Sequence, residues 1–291
     1  MDRDPRITPA RPDLAAASLR GEIAAPRYAE PRRMHVRVFA APVRRAPRRD
    51  APLDTEALCG EAVDIYDVDD EGWAWGQLVA DGYVGYLPHD DLDDGEPAAS
   101  HRVAVPRTFI YPAPDIKVPP LGALPLNARV AAAQEAAAGS GAAGAAAARF
   151  LRLAGGGFVY AAHLAPLATP APDAAAVAEL FVGAPYLWGG RTALGVDCSG
   201  LVQMALWAAG VRCPRDSDMQ MQATGAAPDT PRRGDLVFWR GHVGMMLDGE
   251  RLIHANGHHM RVAVEPLETA AARIRAAGAG EIIALRRPAA G

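Results

Sequence analysis

Apolar residues in the first 170 positions come in short alternating runs, a pattern that fits strands and leaves no continuous stripe for a helix. Runs such as Met34-His35-Val36-Arg37-Val38-Phe39-Ala40 and Trp73-Ala74-Trp75-Gly76-Gln77-Leu78-Val79 put every second side chain on one face. Gly, Pro and Asp-Gly turns between them reverse the chain, so residues 34–97 predict a small all-β unit behind an N-terminal segment, 1–33. Residues 98–170 repeat the plan. Phe109-Ile110-Tyr111-Pro112 opens this copy, and Gly157-Phe158-Val159-Tyr160 echoes Gly82-Tyr83-Val84-Gly85-Tyr86 near its end. The acidic group Asp90, Asp91, Asp93, Asp94 and Glu96, before Pro97, reads as a solvated boundary. From Ala131 to Ala148 an Ala-Gly-Ser stretch reads as a weak helix or a loose connection within the second copy.

From about 171 the periodicity changes, and residues 171–291 predict an α+β unit with helices first and an antiparallel sheet after. Asp173 is placed to cap a helix with Val177, Leu180 and Phe181 on one side. Leu201 to Ala209 reads as a second helix stopped by Gly210. Strands are predicted at 235–239, 242–247, 251–254 and 282–285.

A net charge of -4 provides no basic field for nucleic acid or anionic lipid. Three cysteines at unrelated spacings, Cys59, Cys198 and Cys213, supply neither a disulfide framework nor a four-ligand zinc site and suit a reducing compartment. The first thirty residues contain charges and prolines where a signal peptide would be apolar, and no run of about 18 apolar residues follows, so a cytoplasmic protein with no membrane span is expected.

Cys198 directly precedes the second predicted helix, after the turn Gly189-Gly190. A thiol there meets unpaired backbone N–H groups and the positive end of the helix dipole, which bring a cysteine pKa down to roughly 3.5–7.5. This makes Cys198 the candidate nucleophile, with Cys59 and Cys213 read as packing residues. A nucleophilic thiol needs a base oriented by a third group. His242 and His254 lie on consecutive strands joined through Asp248-Gly249-Glu250. A three-residue loop makes Gly244 and His254 opposite partners and puts the two histidines on one face; a two-residue Asp248-Gly249 turn reverses that parity. His89, His101 and His163 read as satisfied polar residues. His258 and His259 point to opposite faces of a strand and have no ligand partners at metal spacing, so no metal or other cofactor is expected.

Five blocks carry a resemblance: Tyr186-Leu187-Trp188-Gly189-Gly190, Gly195-Val196-Asp197-Cys198-Ser199-Gly200-Leu201-Val202, Arg233-Gly234-Asp235-Leu236-Val237-Phe238-Trp239, Gly241-His242-Val243-Gly244-Met245 and Ile253-His254-Ala255. In this order and over most of 181–256, they resemble the NlpC/P60 peptidase family. The resemblance implies a papain-like catalytic domain with a triad of Cys198, His242 and His254, and a substrate site that includes Tyr186 and Trp188. The two β units are similar to the bacterial SH3 domains, small SH3-like barrels, that accompany one subgroup. That subgroup's enzymes cut the γ-D-glutamyl-L-diamino acid bond of murein peptides bearing a free N-terminal L-alanine. Arg215-Asp216-Ser217 resembles the subgroup's substrate-binding pair, so Asp216 and Ser217, with Asp197 and Ser199 beside the nucleophile, are implied to line the pocket. Glu61 and either Tyr83 or Tyr86 are implied as the acid and tyrosine that meet the substrate's amine.

The mechanism that follows is thiolate attack by Cys198 with His242 as proton carrier, and Tyr186 and the Cys198 backbone N–H as oxyanion donors. A monomeric recycling enzyme acting on murein tri- or tetrapeptides is expected. The alternatives are an amidase, acyltransferase or peptidoglycan hydrolase of the same fold, or an inert peptide-binding protein.

Overall fold

The turn-broken alternation of the first β unit becomes a seven-stranded antiparallel sheet in the computed structural model, which describes residues 3–94, 98–133 and 149–289. Its strand order is Leu92–Asp94, Arg32–Val36, Ala62–Val68, Trp73–Leu78, Val84–Pro88, Ala40–Arg44 and Leu53–Leu58. Alternate residues, among them Val36, Val43, Val63, Leu78 and Leu87, fill one core, as period-two patterning requires. Gly76 and Gly85 face each other across two central strands; a Cβ on Gly85 would come within 2.5 Å of Val43 Cγ1, so bare backbone is needed for the sheet to close tightly.

The N-terminal segment, to which the sequence assigned no elements, has a three-stranded sheet of its own, Ala10–Arg11, Leu14–Ala16 and Arg27–Ala29. It is fastened to the barrel by the Val84 N–H donating to Arg6 O and by the Arg11 guanidinium stacked 4.9 Å over the Trp75 ring.

Among the described residues the second β unit forms three small sheets around Val103, Leu124, Val130, Leu153, Val159 and Leu164. The repeat visible in the sequence has a structural signature. In each copy the echoed strand, Val84–Pro88 or Phe158–Tyr160, runs into one 3-10 turn, His89–Asp91 or Ala161–His163, and then a short strand, Leu92–Asp94 or Leu164–Pro166. Most of the Ala-Gly-Ser stretch, 134–148, and Glu96 and Pro97 of the acidic boundary lie outside the described residues. By its contacts the chain divides into two units, Met1–Leu167 and Ala168–Gly291.

In the second unit, helix α1 (Ala174–Glu179) starts where predicted, with the Asp173 carboxylate accepting from the Ala175 N–H at 2.9 Å. Val177 and Phe181 are buried, but the helix ends at Glu179, and Leu180, at the C-cap, turns out to solvent, so it does not join them as expected. Helix α2 (Cys198–Ala208) buries almost its whole length and stops before Gly210, whose φ of 77° is left-handed backbone that suits glycine. Helix α3 spans Ser217–Ala223.

A five-stranded antiparallel sheet follows: β1 (Leu236–Trp239), β2 (His242–Met246), β3 (Arg251–Asn256), β4 (Arg261–Pro266) and β5 (Ala284–Arg286), in spatial order β4-β3-β2-β1-β5. Strand β4 and the helix after it, α4 (Leu267–Ala276), were not anticipated from the sequence. Helix α2 packs across β2 and β3, and the Val243 backbone N–H, one residue after His242, acts on the Cys198 thiol. No helix among the described residues is long and apolar enough to cross a membrane.

Candidate active site

Cys198 is the first residue of α2, and the loop before it is shaped by close approaches that only glycine permits. Gly189 adopts φ 78°, and a Cβ on Gly200 would meet Gly190 O at 2.3 Å, so helix and loop backbones touch there. Asp197 is the N-cap. Its Oδ1 accepts from the Gly200 N–H at 2.7 Å and its Oδ2 from the Gly189 N–H at 2.8 Å, so one carboxylate ties the helix start to the Gly-Gly turn.

Beneath this loop the fully buried Arg215 grips the same carboxylate with both terminal nitrogens, 3.0 Å to Oδ1 and 2.6 Å to Oδ2, and Nη1 also donates to Ser199 Oγ at 2.8 Å. The Asp197 charge raises the Arg215 pKa against the opposing effect of burial and holds the guanidinium charged. Asp197 and Ser199 were expected to line the substrate pocket; in the structure both oxygens of Asp197 and the hydroxyl of Ser199 are engaged within the chain and are almost wholly buried. Arg215, to which the sequence gave no role of its own, organises them.

Burial of Cys198 outweighs the helix N-terminus: it pushes the thiol up to about 12, with the Asp197 charge adding and the Val243 and Ser199 backbone N–H groups opposing. Helix position alone pointed the other way. The sequence could not show that the sulfur side is enclosed by β2.

His242 opens β2. The Leu247 N–H donates to Arg251 O at 2.8 Å and Met246 pairs with Leu252, so the loop is the three residues 248–250 and the register puts Gly244 opposite His254. His242 is thereby a diagonal neighbour of His254 on one face, and its Nε2 lies 2.8 Å from His254 Nδ1. The diagonal continues. His254 pairs with Ala263 on β4, and Glu265, two residues on, reaches back with Oε1 2.7 Å from His254 Nε2.

Arg273 of α4 donates to the same Glu265 oxygen. Burial would raise the Glu265 carboxyl, but the hydrogen bonds from His254 and Arg273, with their charges, hold it below its ordinary value. Burial also pushes His242 down to about 3 and His254 down to about 4, the latter despite the Glu265 carboxylate beside it. Burial thus disfavours the charged form of both the Cys198 thiol and the His242 imidazole. Glu265 and Arg273 were missed because β4 was missed, although the valines of Arg261-Val262-Ala263-Val264-Glu265 gave an alternation that was there to read.

Tyr186 is half-buried on the chain beside the nucleophile loop, its N–H donating to Met260 O at 3.0 Å. Burial, with the nearby Cys198 and Asp197, raises its pKa and keeps the hydroxyl protonated as a donor. Trp188 is 66% exposed on the same loop. Asp216 and Ser217 stand half-buried at the N-terminus of α3, where Gln220 holds the loop from below by donating to Ser199 O and Pro214 O, each at 2.9 Å.

Glu61, Tyr83 and Tyr86 belong to the other unit. Glu61 is buried with Oε2 accepting from the Leu58 N–H at 3.1 Å, Tyr83 packs in the barrel core, and Tyr86 is half-buried opposite Trp75. Of the other histidines, His163 bonds Thr108 Oγ1 at 2.8 Å and His259 Nδ1 bonds Asn256 Oδ1 at 3.0 Å.

Residues 183–279 match the NlpC/P60 family, and residues 43–92 match the bacterial dipeptidyl-peptidase Sh3 domain. The chain is 27% identical over 243 residues to the gamma-D-glutamyl-L-lysine dipeptidyl-peptidase of Bacillus cereus, a match covering 75% of this chain and 71% of that protein. It is 36% identical over 94 residues to the Bacillus subtilis protein of the same name, covering 29% of this chain and 32% of that one. To the Mycobacterium tuberculosis peptidoglycan endopeptidase RipB it is 34% identical over 107 residues, covering 31% and 44%. A crystal structure of an NlpC/P60 family protein from Bacillus cereus superposes with a TM-score of 0.70 at 22% identity, over 88% of this chain and 99% of that one, a likeness of fold.

Proposed function

We propose that this cysteine peptidase, whose residues 183–279 match the NlpC/P60 family, cleaves the bond between γ-D-glutamate and an L-diamino acid in murein peptides that carry a free N-terminal L-alanine. The observations behind this reading are a thiol at the start of a helix that packs across β2 and β3, and the alignment of His242, His254 and Glu265 on those strands and β4. The substrate class draws on the gamma-D-glutamyl-L-lysine dipeptidyl-peptidase, which aligns with three quarters of this chain.

In this reading the Cys198 thiol gives its proton to His242 while the sulfur attacks the γ-carbonyl carbon of D-glutamate. A neutral thiol and a neutral imidazole favour transfer in step with attack over a standing ion pair. The tetrahedral oxyanion takes hydrogen bonds from the Tyr186 hydroxyl and the Cys198 backbone N–H, donors worth about 3 kcal/mol each when aimed at the developing charge. As the carbon–nitrogen bond breaks, His242 returns the proton to the departing amine, leaving a thioester at Cys198. Water, deprotonated by His242, attacks that thioester; the carbon–sulfur bond breaks, His242 returns the proton to the Cys198 sulfur, and L-Ala-D-Glu is freed. Asp216 supplies a carboxylate for the substrate's ammonium, and Ser217 and Trp188 complete the pocket. Action on released peptides in a cytoplasmic recycling route belongs to the same proposal.

The test is incubation with L-Ala-γ-D-Glu-diaminopimelate, its N-acetyl form and intact peptidoglycan, with products identified by mass. Release of L-Ala-D-Glu from the free peptide alone supports the proposal. Cleavage of intact peptidoglycan at equal rate would favour a wall hydrolase, the activity named for the RipB relative.

A further inference from the structure

The line of hydrogen bonds behind His242 continues beyond the second histidine, and its far end decides where the protons sit. A carboxylate has no hydrogen to give, and Arg273 donates to the same Glu265 oxygen, so the His254 nitrogen 2.7 Å from Oε1 must carry the hydrogen. His254 is fully buried and held neutral, so with Nε2 protonated its Nδ1 is a bare lone pair. His242 Nε2, 2.8 Å from that lone pair, must then be the donor, and the unprotonated nitrogen of His242 is Nδ1.

We propose that Glu265, clamped by Arg273, is a positioning residue that fixes the tautomers of both histidines and so presents His242 to the thiol with its basic nitrogen at Nδ1. Without an acceptor at position 265 the two imidazoles could pair equally well the other way round. Nδ1 of His254 would then donate, and His242 would carry its hydrogen on Nδ1, the nitrogen that must receive the thiol proton. Glu265 also has an electrostatic part. Its charge stabilises the imidazolium that forms when His242 takes the proton, through His254. Besides the Cys198 thiol of α2, the charged and titratable groups acting on the pair are Glu265 from β4, Arg273 from α4 and His259 from the turn after β3.

This inference rests on the reading of Cys198 and His242 as nucleophile and base, and its test separates the two. Long-range proton–nitrogen correlation spectra of the 15N-histidine-labelled wild-type protein report each ring's tautomer without any substrate. Both His242 and His254 should show hydrogen on Nε2 and a bare Nδ1. In Glu265→Gln, whose amide can turn either its oxygen or its NH2 to His254, the tautomers should mix. In the same variant kcat should fall roughly tenfold or more with KM unchanged, and the acid limb of kcat/KM should move to lower pH as the imidazolium loses its counter-charge. Glu265→Asp should recover part of the rate. A wild-type His242 protonated on Nδ1, or a Glu265→Gln protein with unchanged tautomers, would overturn the proposal. A wild-type protein with the expected tautomers and no action on γ-D-glutamyl peptides would instead sink the functional reading.

Discussion

The Arg215 guanidinium and the carboxylate of Asp197, the residue before Cys198, meet edge to edge, 2.6 Å and 3.0 Å apart. Both are almost entirely buried, and the same carboxylate caps α2 and holds the Gly189 N–H. The pair therefore fixes the height and direction of the helix start relative to its loop. Bidentate geometry suits Arg and no other side chain here, because one guanidinium reaches both carboxylate oxygens and the Ser199 hydroxyl.

Arg215→Met should leave the Asp197 charge buried without its counter-ion and cost about 3–5 kcal/mol of stability, with Arg215→Lys intermediate. Urea unfolding of the three proteins measures this. A methionine variant as stable as wild type would show that Asp197 needs only its backbone donors.

Alkylation of Cys198 should track a thiol pushed up by burial. Iodoacetamide labelling, resolved by peptide mass, should be slow at pH 6 and still rising at pH 9, because only the thiolate reacts. A plateau below pH 7 would mean that a thiolate–imidazolium pair exists before substrate binds.

Burial pushes His242 down to about 3, so its neutral, proton-accepting form persists far below the ordinary histidine value of about 6.5. The acid limb of kcat/KM should accordingly lie well below pH 6.5, and a limb at 6.5 would contradict an enclosed base. Stability should follow the same sign. Below about pH 6.5 the unfolded chain takes up protons that His242 and His254 refuse in the fold, so their contribution, full above that value, is lost as pH falls towards 3–4. The melting temperature should drop between pH 7 and pH 5, less steeply in His254→Asn.

Gly200→Ala should damage both stability and rate. Its Cβ would stand 2.3 Å from Gly190 O and 3.0 Å from Asp197 Oδ1, backbone and cap that cannot move aside without shifting Cys198. A loss of about 1–3 kcal/mol and a fall in kcat are expected from thermal melts and initial rates, whereas Gly257→Ala, at an open position, should change neither.

Local chemistry made much of this molecule legible in its sequence. The Asp173 cap, the stop at Gly210, the period-two runs of the barrels and a cysteine at a helix start all depend on residues a few positions apart, and all appear in the structure. The register of β2 and β3 stood one residue from certainty. Asp248-Gly249 fits a two-residue turn, but the Asp248 carboxylate accepts from the N–H groups of both Glu250 and Arg251, which spends a third residue in the loop and turns His254 towards His242. Charge states were decided only by tertiary structure. Helix position lowers a thiol pKa over one turn, whereas desolvation depends on everything packed around the sulfur, and β2, more than forty residues away in the chain, supplies that enclosure. Glu265 likewise acquires its meaning only when β4 pairs with β3, because a carboxylate eleven residues from His254 becomes its hydrogen-bond partner through strand register and through no local signal.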